Sequence, residues 1–434
     1  MTDQKEGQLG DLRVRRRGAD WLDHAGRVRL AEGLAVAVAA SLPWSTTGTG
    51  ILLAAWLLTL VSVIDPASVR REIMSPAGGL PVVLVVIAAL GMAWSQASLG
   101  ERLQGLEGFC KLLLIPLLLA QFRRSERGWS VVLWFFGASV ALLLASSALA
   151  SIPGLPWRGK MPGVPVKDYI TQSGVFALCA FALLGCASEA WRLRRRQLAG
   201  VLIVVAAAFI ADIAYVETGR TTLVTIAVLV PVFGFRQFGW RGIVMAGAGG
   251  CVVAGVLWIS SPHLRERVTH AVEEVQEYRA EHLPTSSGLR LDYWRKSLDI
   301  FSRSPVAGYG TGSIPMLLTP AGAPSTEAYF ATVNPHNQLL VVALQLGLIG
   351  TVMLLAMWGA HLVLFRGGGL ISWIGLVAVV QNMVGSLFNS HLSDFTQGWL
   401  YVFAVGVLGG TALRQAAPQP AEGAMCGDAA IDAA

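Results

Sequence analysis

Long apolar runs, rather than alternating apolar and polar positions, dominate the hydrophobic pattern of this chain. A helix needs about 20 mainly apolar residues to cross a bilayer, or fewer where polar flanks help. The candidate spans are 30–44, 48–64, 79–95, 106–121, 129–151, 170–188, 198–216, 220–235, 241–260, 336–364, 369–389 and 395–413. The first and fourth are short, and the first two could form a re-entrant hairpin instead of two full spans. The pattern predicts an all-α polytopic membrane protein with about twelve transmembrane helices.

One segment, 261–335, is too polar to span a membrane and too regularly patterned to be disordered. Apolar residues recur at helical spacing over 263–281 and again over 289–301, which predicts two amphipathic helices. The apolar stripe of the second helix comprises Leu291, Trp294, Leu298 and Phe301, and its candidate caps are Ser286 and Ser287. A glycine-rich turn over 304–313 follows, and 314–333 is expected to be irregular. The segment therefore predicts one large, mainly helical loop domain.

Lysine and arginine are concentrated in one set of alternate loops, which the positive-inside rule assigns to the cytoplasm. This set comprises Lys5, Arg13, Arg15, Arg16, Arg17, Arg27, Arg29, Arg70, Arg71, Arg123, Arg124, Arg127, Arg192, Arg194, Arg195, Arg196, Arg236, Arg241, Arg366 and Arg414. Both termini are therefore predicted to be cytoplasmic and the large loop extracytoplasmic. The predicted layout is a basic tail 1–29, helices 1–9 in 30–260, the loop 261–335, helices 10–12 in 336–413 and a disordered tail 414–434. The first span is expected to act as an uncleaved signal anchor.

Composition supports the same class. Hydrophobic residues make up 54% of the chain and charged residues only 14%, whereas a soluble domain carries roughly 25% charged residues. Four of the five cysteines lie in or against apolar runs, one lies in the C-terminal tail, and none is in the large loop. A disulfide framework and a cysteine zinc site are therefore disfavoured. No histidine–carboxylate cluster has metal-ligand spacing, so we expect no metal. We also expect no cofactor and no nucleic-acid partner.

His336 is the first candidate functional residue. Asparagine is a favoured N-cap and proline is favoured at the first helical position, so Asn334 and Pro335 place His336 in the first turn of a span. The helix dipole there disfavours imidazolium, which predicts a neutral ring at pH 7 that is suited to act as a general base. The alternative is a histidine bonded to lipid headgroups or loop backbone. Taken alone, His336 fits that alternative slightly better.

Two arginines change this balance. Arg220 opens a predicted span from the same side of the membrane as His336, and Arg290 lies near the start of a loop helix. A helix N-terminus opposes a cation, and a bound anion such as phosphate would resolve the conflict. The alternatives are a snorkelling interface anchor for Arg220 and a solvated loop charge for Arg290. Because arginine binds phosphate oxygens bidentately, two arginines and a neutral base together suggest chemistry on a phosphate-linked substrate.

At these residues the chain resembles the O-antigen ligase family, within the wider group of O-antigen ligases, O-antigen polymerases and protein O-oligosaccharyltransferases. The matching pieces are Gly219-Arg220-Thr221, Arg290-Leu291-x-x-Trp294, Pro305-x-x-Gly308-Tyr309-Gly310, His336-Asn337-Gln338-Leu339-Leu340 and Gln345-Leu346-Gly347-Leu348-Ile349-Gly350. Each piece alone is weak, and their order and spacing carry the resemblance. The motifs are concentrated in 217–350.

The resemblance implies a metal-independent glycosyl transfer on the periplasmic face of the Gram-negative inner membrane. The implied donor is O-antigen polysaccharide on undecaprenyl diphosphate, and the implied acceptor is a sugar hydroxyl of lipid A–core. By the same likeness, His336 matches the base that deprotonates the acceptor. Arg220 and Arg290 match the two arginines that bind the donor diphosphate. Direct attack at the anomeric carbon would invert its configuration.

Other polar residues on the same predicted face are secondary candidates. Arg158, Lys160 and Lys167 break the positive-inside pattern, and they could contact the diphosphate or anionic lipopolysaccharide. A solvated loop explains them about equally well. Asp394 could orient His336 or neutralise an arginine, but the ordinary interpretation is that it starts the final helix.

Three alternatives stay open. An O-antigen polymerase tends to have two substantial basic periplasmic loops, whereas here the 152–169 loop is small. A protein O-oligosaccharyltransferase is usually longer. A secondary transporter, from a different class, would be expected to show repeats and polar groups near the bilayer midplane. The main polar residues within the apolar runs are Gln381, Asn382 and His361.

Overall fold

The computed structural model describes residues 23–152, 161–281, 285–319 and 334–417, and this part of the chain is helical with no strand. The helices are α1 (His24–Ser41), α2 (Thr46–Val61), α3 (Pro66–Ile73), α4 (Pro76–Gly91), α5 (Leu99–Cys110), α6 (Leu114–Phe122), α7 (Gly128–Ser151), α8 (Tyr169–Arg192), α9 (Arg196–Tyr215), α10 (Arg220–Ser260), α11 (Pro262–Glu281), α12 (Ser286–Arg303), α13 (Ile314–Leu318), α14 (Gln338–Leu364), α15 (Leu370–Ser386), α16 (Phe395–Phe403) and α17 (Gly409–Ala416). A 3-10 turn joins α5 to α6, and a π-helical turn joins α16 to α17. The predicted all-α membrane class is confirmed for these residues.

Within the described residues, seven helical segments are long and apolar enough to cross a membrane. An eighth would be the pair α2 and α3, which is bent by 113° at the break between them. Two further apolar helices, α4 and α15, are shorter. Every predicted apolar run coincides with a helix or with half of a broken one, but length and composition do not establish twelve crossings. The number of crossings therefore stays a prediction.

The helix α10 is two packed helices joined at Gly239. This glycine has φ 63° and ψ −150°, which breaks the helical path. Gly234 and Gly242 lie so close across the break that a Cβ on either would overlap the other's carbonyl oxygen. Gly250 similarly approaches Val230, twenty positions earlier. The two halves therefore fold back on each other, as the separate predictions 220–235 and 241–260 require.

The helix α14 is also broken, at Gly347, and the break receives the glycine-rich turn after α12. The backbone N–H groups of Tyr309 and Gly310 donate to the carbonyls of Leu344 and Gln345, at 2.8 and 2.9 Å. In return, the N–H of Leu348 donates to the carbonyl of Pro305 at 2.7 Å. Gly347 has φ 63° and contacts the Val306 carbonyl, so no side chain fits there. Two motif pieces that are separate in sequence thus form one junction between loop and bundle.

The two loop helices lie where the sequence predicts them, with two local corrections. Thr285, not Ser286 or Ser287, caps α12, because its hydroxyl accepts from the N–H of Gly288 at 3.2 Å. The predicted apolar stripe is only partly buried, since Leu298 is 57% exposed. Ser297 is buried instead, so burial along α12 follows contact with the bundle as well as hydrophobicity.

His361 is a structural residue of the bundle. It is fully buried, its Nδ1 lies 2.5 Å from the hydroxyl of Tyr401, and its Nε2 lies 2.9 Å from the carbonyl of Ala77. Both ring nitrogens therefore have partners, as buried polar atoms require. One of the polar groups that would have favoured a transporter is explained by packing.

Candidate functional site

Arg220 is the first residue of α10, where two helices approach closely. A Cβ on the preceding residue, Gly219, would overlap the hydroxyl of Ser173 on α8. Ser173 and Thr222 are hydrogen-bonded at 3.0 Å across this contact. The glycine of the Gly219-Arg220-Thr221 motif is therefore needed for the close packing that fixes the start of α10.

The Arg220 guanidinium is held by the first loop helix. Its Nη1 and Nη2 donate to the two carboxylate oxygens of Glu274 at 2.7 and 2.8 Å, and Nη1 also donates to Ser287 Oγ at 2.9 Å. The side chains of Arg220 and Glu274 are 28% and 20% exposed. Arg220 is thus an oriented fork, and an internal carboxylate occupies both of its terminal nitrogens.

Two acidic residues that could have paired with Arg220 do not. Asp212 accepts from Ser146 at 2.6 Å and from Gln172 at 3.3 Å, inside the bundle. Glu217 is buried, and one of its carboxylate oxygens has no partner within the part of the chain that the structure describes. Burial raises the pKa of Glu217, while Arg267 opposes the rise.

Arg290 belongs to the same cluster, but its guanidinium has no hydrogen bond or ion pair with any residue that the structure describes. Burial lowers the pKa of Arg290, and the nearby positive charge of Arg220 lowers it further. Glu274 and Tyr169 act in the opposite direction. Two guanidinium groups therefore share one partly buried region, where, among the described residues, Glu274 pairs with Arg220 and no carboxylate pairs with Arg290.

His336 is not in the first turn of a helix, which corrects the sequence-based placement. The helix α14 begins at Gln338, and its N-cap is Asn337, whose side chain accepts from the N–H groups of Leu339 and Leu340. His336 lies just before this cap, in a left-handed conformation with φ 50°. Non-glycine residues in that region carry strain and are concentrated at functional sites.

The surroundings hold His336 in place from several directions. Asn334 accepts from the backbone N–H of His336 at 2.8 Å and from the Ser390 hydroxyl at 2.7 Å. The indole N–H of Trp294 donates to the carbonyl of Pro335 at 2.8 Å. Asn334 is therefore the acceptor that bends the backbone at His336, not the cap of α14.

The pKa of His336 is lowered, as the sequence predicts, but burial and a nearby charge are the causes, not a helix dipole. Burial lowers the pKa of His336 below its usual 6.5, and Arg290 lowers it further by charge repulsion. A hydrogen bond from the ring to the Asn389 side chain, which accepts it, acts in the opposite direction. Asn389 also donates to Thr221 Oγ1 at 3.3 Å, which links the histidine to the residue next to Arg220. The ring is neutral near pH 7 because it is desolvated beside a cation, and a neutral ring can accept a proton.

Two of the secondary candidates, Lys167 and Asp394, pair with each other, and the other two lie outside the described residues. Arg158 and Lys160 are not among the residues that the structure describes. Asp394 caps α16 by accepting from the N–H of Gln397 at 3.0 Å, and its carboxylate accepts from Lys167 at 2.7 Å. The ordinary interpretation of Asp394 as a helix start is confirmed, and its ion partner is Lys167.

The cluster contains residues that sequence reasoning did not single out. Glu274 and Asn389 carried no signal, because glutamate is common on an amphipathic helix and Asn389 lies far along the chain from His336. The sequence indicates Ser287 only as a candidate cap. Among the described residues, no group of histidine, cysteine, aspartate or glutamate side chains has the arrangement of a metal site. The cluster combines two guanidinium groups with a neutral imidazole, which suits an anionic substrate and a proton transfer.

A family model described as O-antigen ligase matches residues 211–355 of the chain. The match covers about one third of the sequence and includes Arg220, Glu274, Ser287, Arg290 and His336. A comparison with curated proteins finds no match. The resemblance to the O-antigen ligase family is thereby confirmed. It indicates a function of the O-antigen ligase or polymerase type, with polysaccharide and lipid substrates in general.

Proposed function

We propose that this protein is an O-antigen ligase. It transfers O-antigen polysaccharide from undecaprenyl diphosphate to a sugar hydroxyl of lipid A–core. The observation that carries the proposal is the cluster formed by the Arg220 fork, Arg290 and the neutral His336, all inside the range that matches the O-antigen ligase model. Arg290 has no ion pair with any of the described residues. The two arginines suit a diphosphate, and His336 suits removal of a proton from a hydroxyl.

In the proposed reaction, His336 accepts the proton of the acceptor hydroxyl. The acceptor oxygen then attacks the anomeric carbon of the donor, a new glycosidic bond forms, and the bond from that carbon to the diphosphate breaks. Negative charge grows on the leaving diphosphate, where Arg220 and Arg290 stabilise it. Preorganised charge of this kind is usually the largest single contribution to catalysis. Attack from the face opposite the leaving group inverts the anomeric configuration.

The proposed location is the periplasmic face of the Gram-negative inner membrane, with both termini in the cytoplasm. The distribution of lysine and arginine supports this orientation. The basic loops are predicted to be cytoplasmic, and Arg220, Arg290 and His336 lie in or beside the other set of alternate loops. Membrane lipids surround the protein, and no metal or cofactor takes part in the proposed chemistry.

A gene deletion with analysis of lipopolysaccharide by gel tests the proposal. We expect bare core and an accumulation of lipid-linked polysaccharide in the deletion strain. Core carrying a single repeat unit would instead identify a polymerase and overturn the proposal. Complementation by wild type should restore ligation, whereas His336→Ala at the same membrane level should not. His270→Ala is the matched control, because His270 lies exposed on α11 and its only charged partner among the described residues is Glu273, at 3.8 Å.

A further inference from the structure

The Glu274 carboxylate fills a complete anion-binding arrangement. Arg220 donates to both of its oxygens, at 2.7 and 2.8 Å. The hydroxyl and the backbone N–H of Ser287 donate to Oε2 at 2.6 and 3.0 Å. The Thr285 hydroxyl donates to the backbone carbonyl of Glu274 at 2.8 Å, which joins the start of α12 to α11. Four donors from two residues therefore converge on one carboxylate.

These donors are of the kind that binds phosphate equally well. A guanidinium fork matches the oxygens of a carboxylate and of a phosphate in the same bidentate geometry. Ser287 is the second residue of α12, so its N–H has no acceptor within the helix and is available to an anion. Nothing in this donor set is particular to glutamate.

Arg290 indicates that the natural anion is larger than a carboxylate. It lies three positions after Ser287 on the same helix, and Glu274 and Arg220 both influence its charge. Yet it forms no hydrogen bond or ion pair with the described residues. A diphosphate bound where Glu274 lies would extend a second phosphate and further negative charge to this neighbouring cation.

We propose that Glu274 occupies the position of one phosphate of the donor while the site is empty. When the donor binds, its phosphate displaces the Glu274 carboxylate from Arg220 and also binds Ser287. This inference rests on the proposed function, because that function supplies a diphosphate-linked donor. Glu274 then lowers the affinity for the donor, keeps Arg220 oriented while the site is empty, and makes donor binding release a contact between α11 and α10.

The competition operates over the whole physiological pH range. The hydrogen bond from Arg220, followed by those from Ser287, lowers the pKa of Glu274 to about 2. The carboxylate therefore stays ionised, and its pair with Arg220 weakens only as the pH falls towards that value. Only another anion, not a change in pH near neutrality, releases the arginine.

The test measures binding of inorganic pyrophosphate to the pure full-length protein in detergent, with chelator present, by calorimetry. Glu274→Gln keeps the size of the side chain and removes its charge. We expect Glu274→Gln to bind pyrophosphate at least about tenfold more tightly than wild type, since a hydrogen bond to a charged group contributes roughly 1.5–3 kcal/mol. Adding Ser287→Ala to Glu274→Gln should weaken binding again. Glu273→Gln is the matched control, because Glu273 is the 58% exposed neighbour and should leave binding unchanged.

Two results would overturn the inference. One is equal or weaker binding by Glu274→Gln, which would make Glu274 a permanent support for Arg220. The other is an equal gain in Glu273→Gln, which would reflect net charge alone. If Glu274→Gln does not stay monodisperse, Glu274→Asp gives the same comparison, because its carboxylate ends one methylene short of the Arg220 fork. Failure here leaves the proposed function standing if His336→Ala still abolishes ligation, so the two failures can be distinguished.

Discussion

Replacement of Arg220 by lysine tests the role of the guanidinium fork. Arg220 makes two charge-assisted hydrogen bonds to one carboxylate and a third to Ser287, at 2.7, 2.8 and 2.9 Å. Lysine keeps the positive charge but offers a single nitrogen, so it loses at least one of the two in-plane contacts. A hydrogen bond to a charged group contributes roughly 1.5–3 kcal/mol. At about 1.36 kcal/mol per factor of ten, the loss corresponds to about 10- to 150-fold in rate.

The loss should fall mainly on kcat. In Arg220→Lys, the empty site loses a hydrogen bond to Glu274, and the donor complex loses the equivalent hydrogen bond to the diphosphate. Because both states are destabilised alike, the donor affinity changes little. No such offset exists for the charge that develops on the leaving group, and interactions made only in the transition state lower kcat when they are removed.

The assay is steady-state transfer from lipid-linked polysaccharide to lipid A–core in proteoliposomes. Arg303→Lys is the matched control, because Arg303 lies on α12, is 69% exposed and pairs only with Asp299 among the described residues. The control should retain wild-type kinetics. A kcat of Arg220→Lys within about threefold of wild type would refute the argument, because so small a change is well below the lower limit expected for one charge-assisted hydrogen bond.

Three further outcomes are expected. Gly347→Ala should lower the free energy of unfolding by about 1–3 kcal/mol in thermal unfolding, since φ is 63° and a Cβ would overlap the Val306 carbonyl. Gly359→Ala should not lower it, because a Cβ at Gly359 meets open space. Equal stabilities of the two variants would contradict this prediction. Transfer should fall about tenfold per pH unit below the depressed pKa of His336. Arg290→Gln removes a positive charge that repels the protonated ring, so the fall in rate at low pH should move to higher pH. Asn389→Ala removes a hydrogen bond that raises the pKa of His336, so the fall should move to lower pH. Unmoved pH–rate profiles would exclude His336 as the titrating group.

The sequence predicts the helices well because apolar runs and helical spacing are local properties. The positions of α11 and α12 follow from helical periodicity, and the separate halves of α10 follow from the two apolar runs 220–235 and 241–260. The sequence pattern places the start of α14 three residues too early, because Asn334 and Asn337 are both good caps. Asn334 bonds instead to Ser390, which lies 56 positions away in the sequence and which no local pattern reveals.

The site was predictable in its residue types but not in its connections. Arginine at a helix start and histidine beside a proline are visible in the sequence. The Glu274 carboxylate on Arg220 and the Asn389 amide on His336 depend on how the loop packs against the bundle, across 54 and 53 positions of sequence. The neutral state of His336 was expected from a helix dipole, whereas burial and Arg290 are its causes, and both are tertiary properties.

The most direct test of the central claim is transfer by the pure protein reconstituted with lipid-linked O-antigen polysaccharide and lipid A–core, without nucleotide and with chelator present. We predict polysaccharide-bearing lipopolysaccharide and free undecaprenyl diphosphate with wild type, and neither product with His336→Ala. Ligation by His336→Ala at the wild-type rate would contradict the assignment of His336 as the base. Polymerised donor with unmodified lipid A–core would contradict the ligase assignment itself.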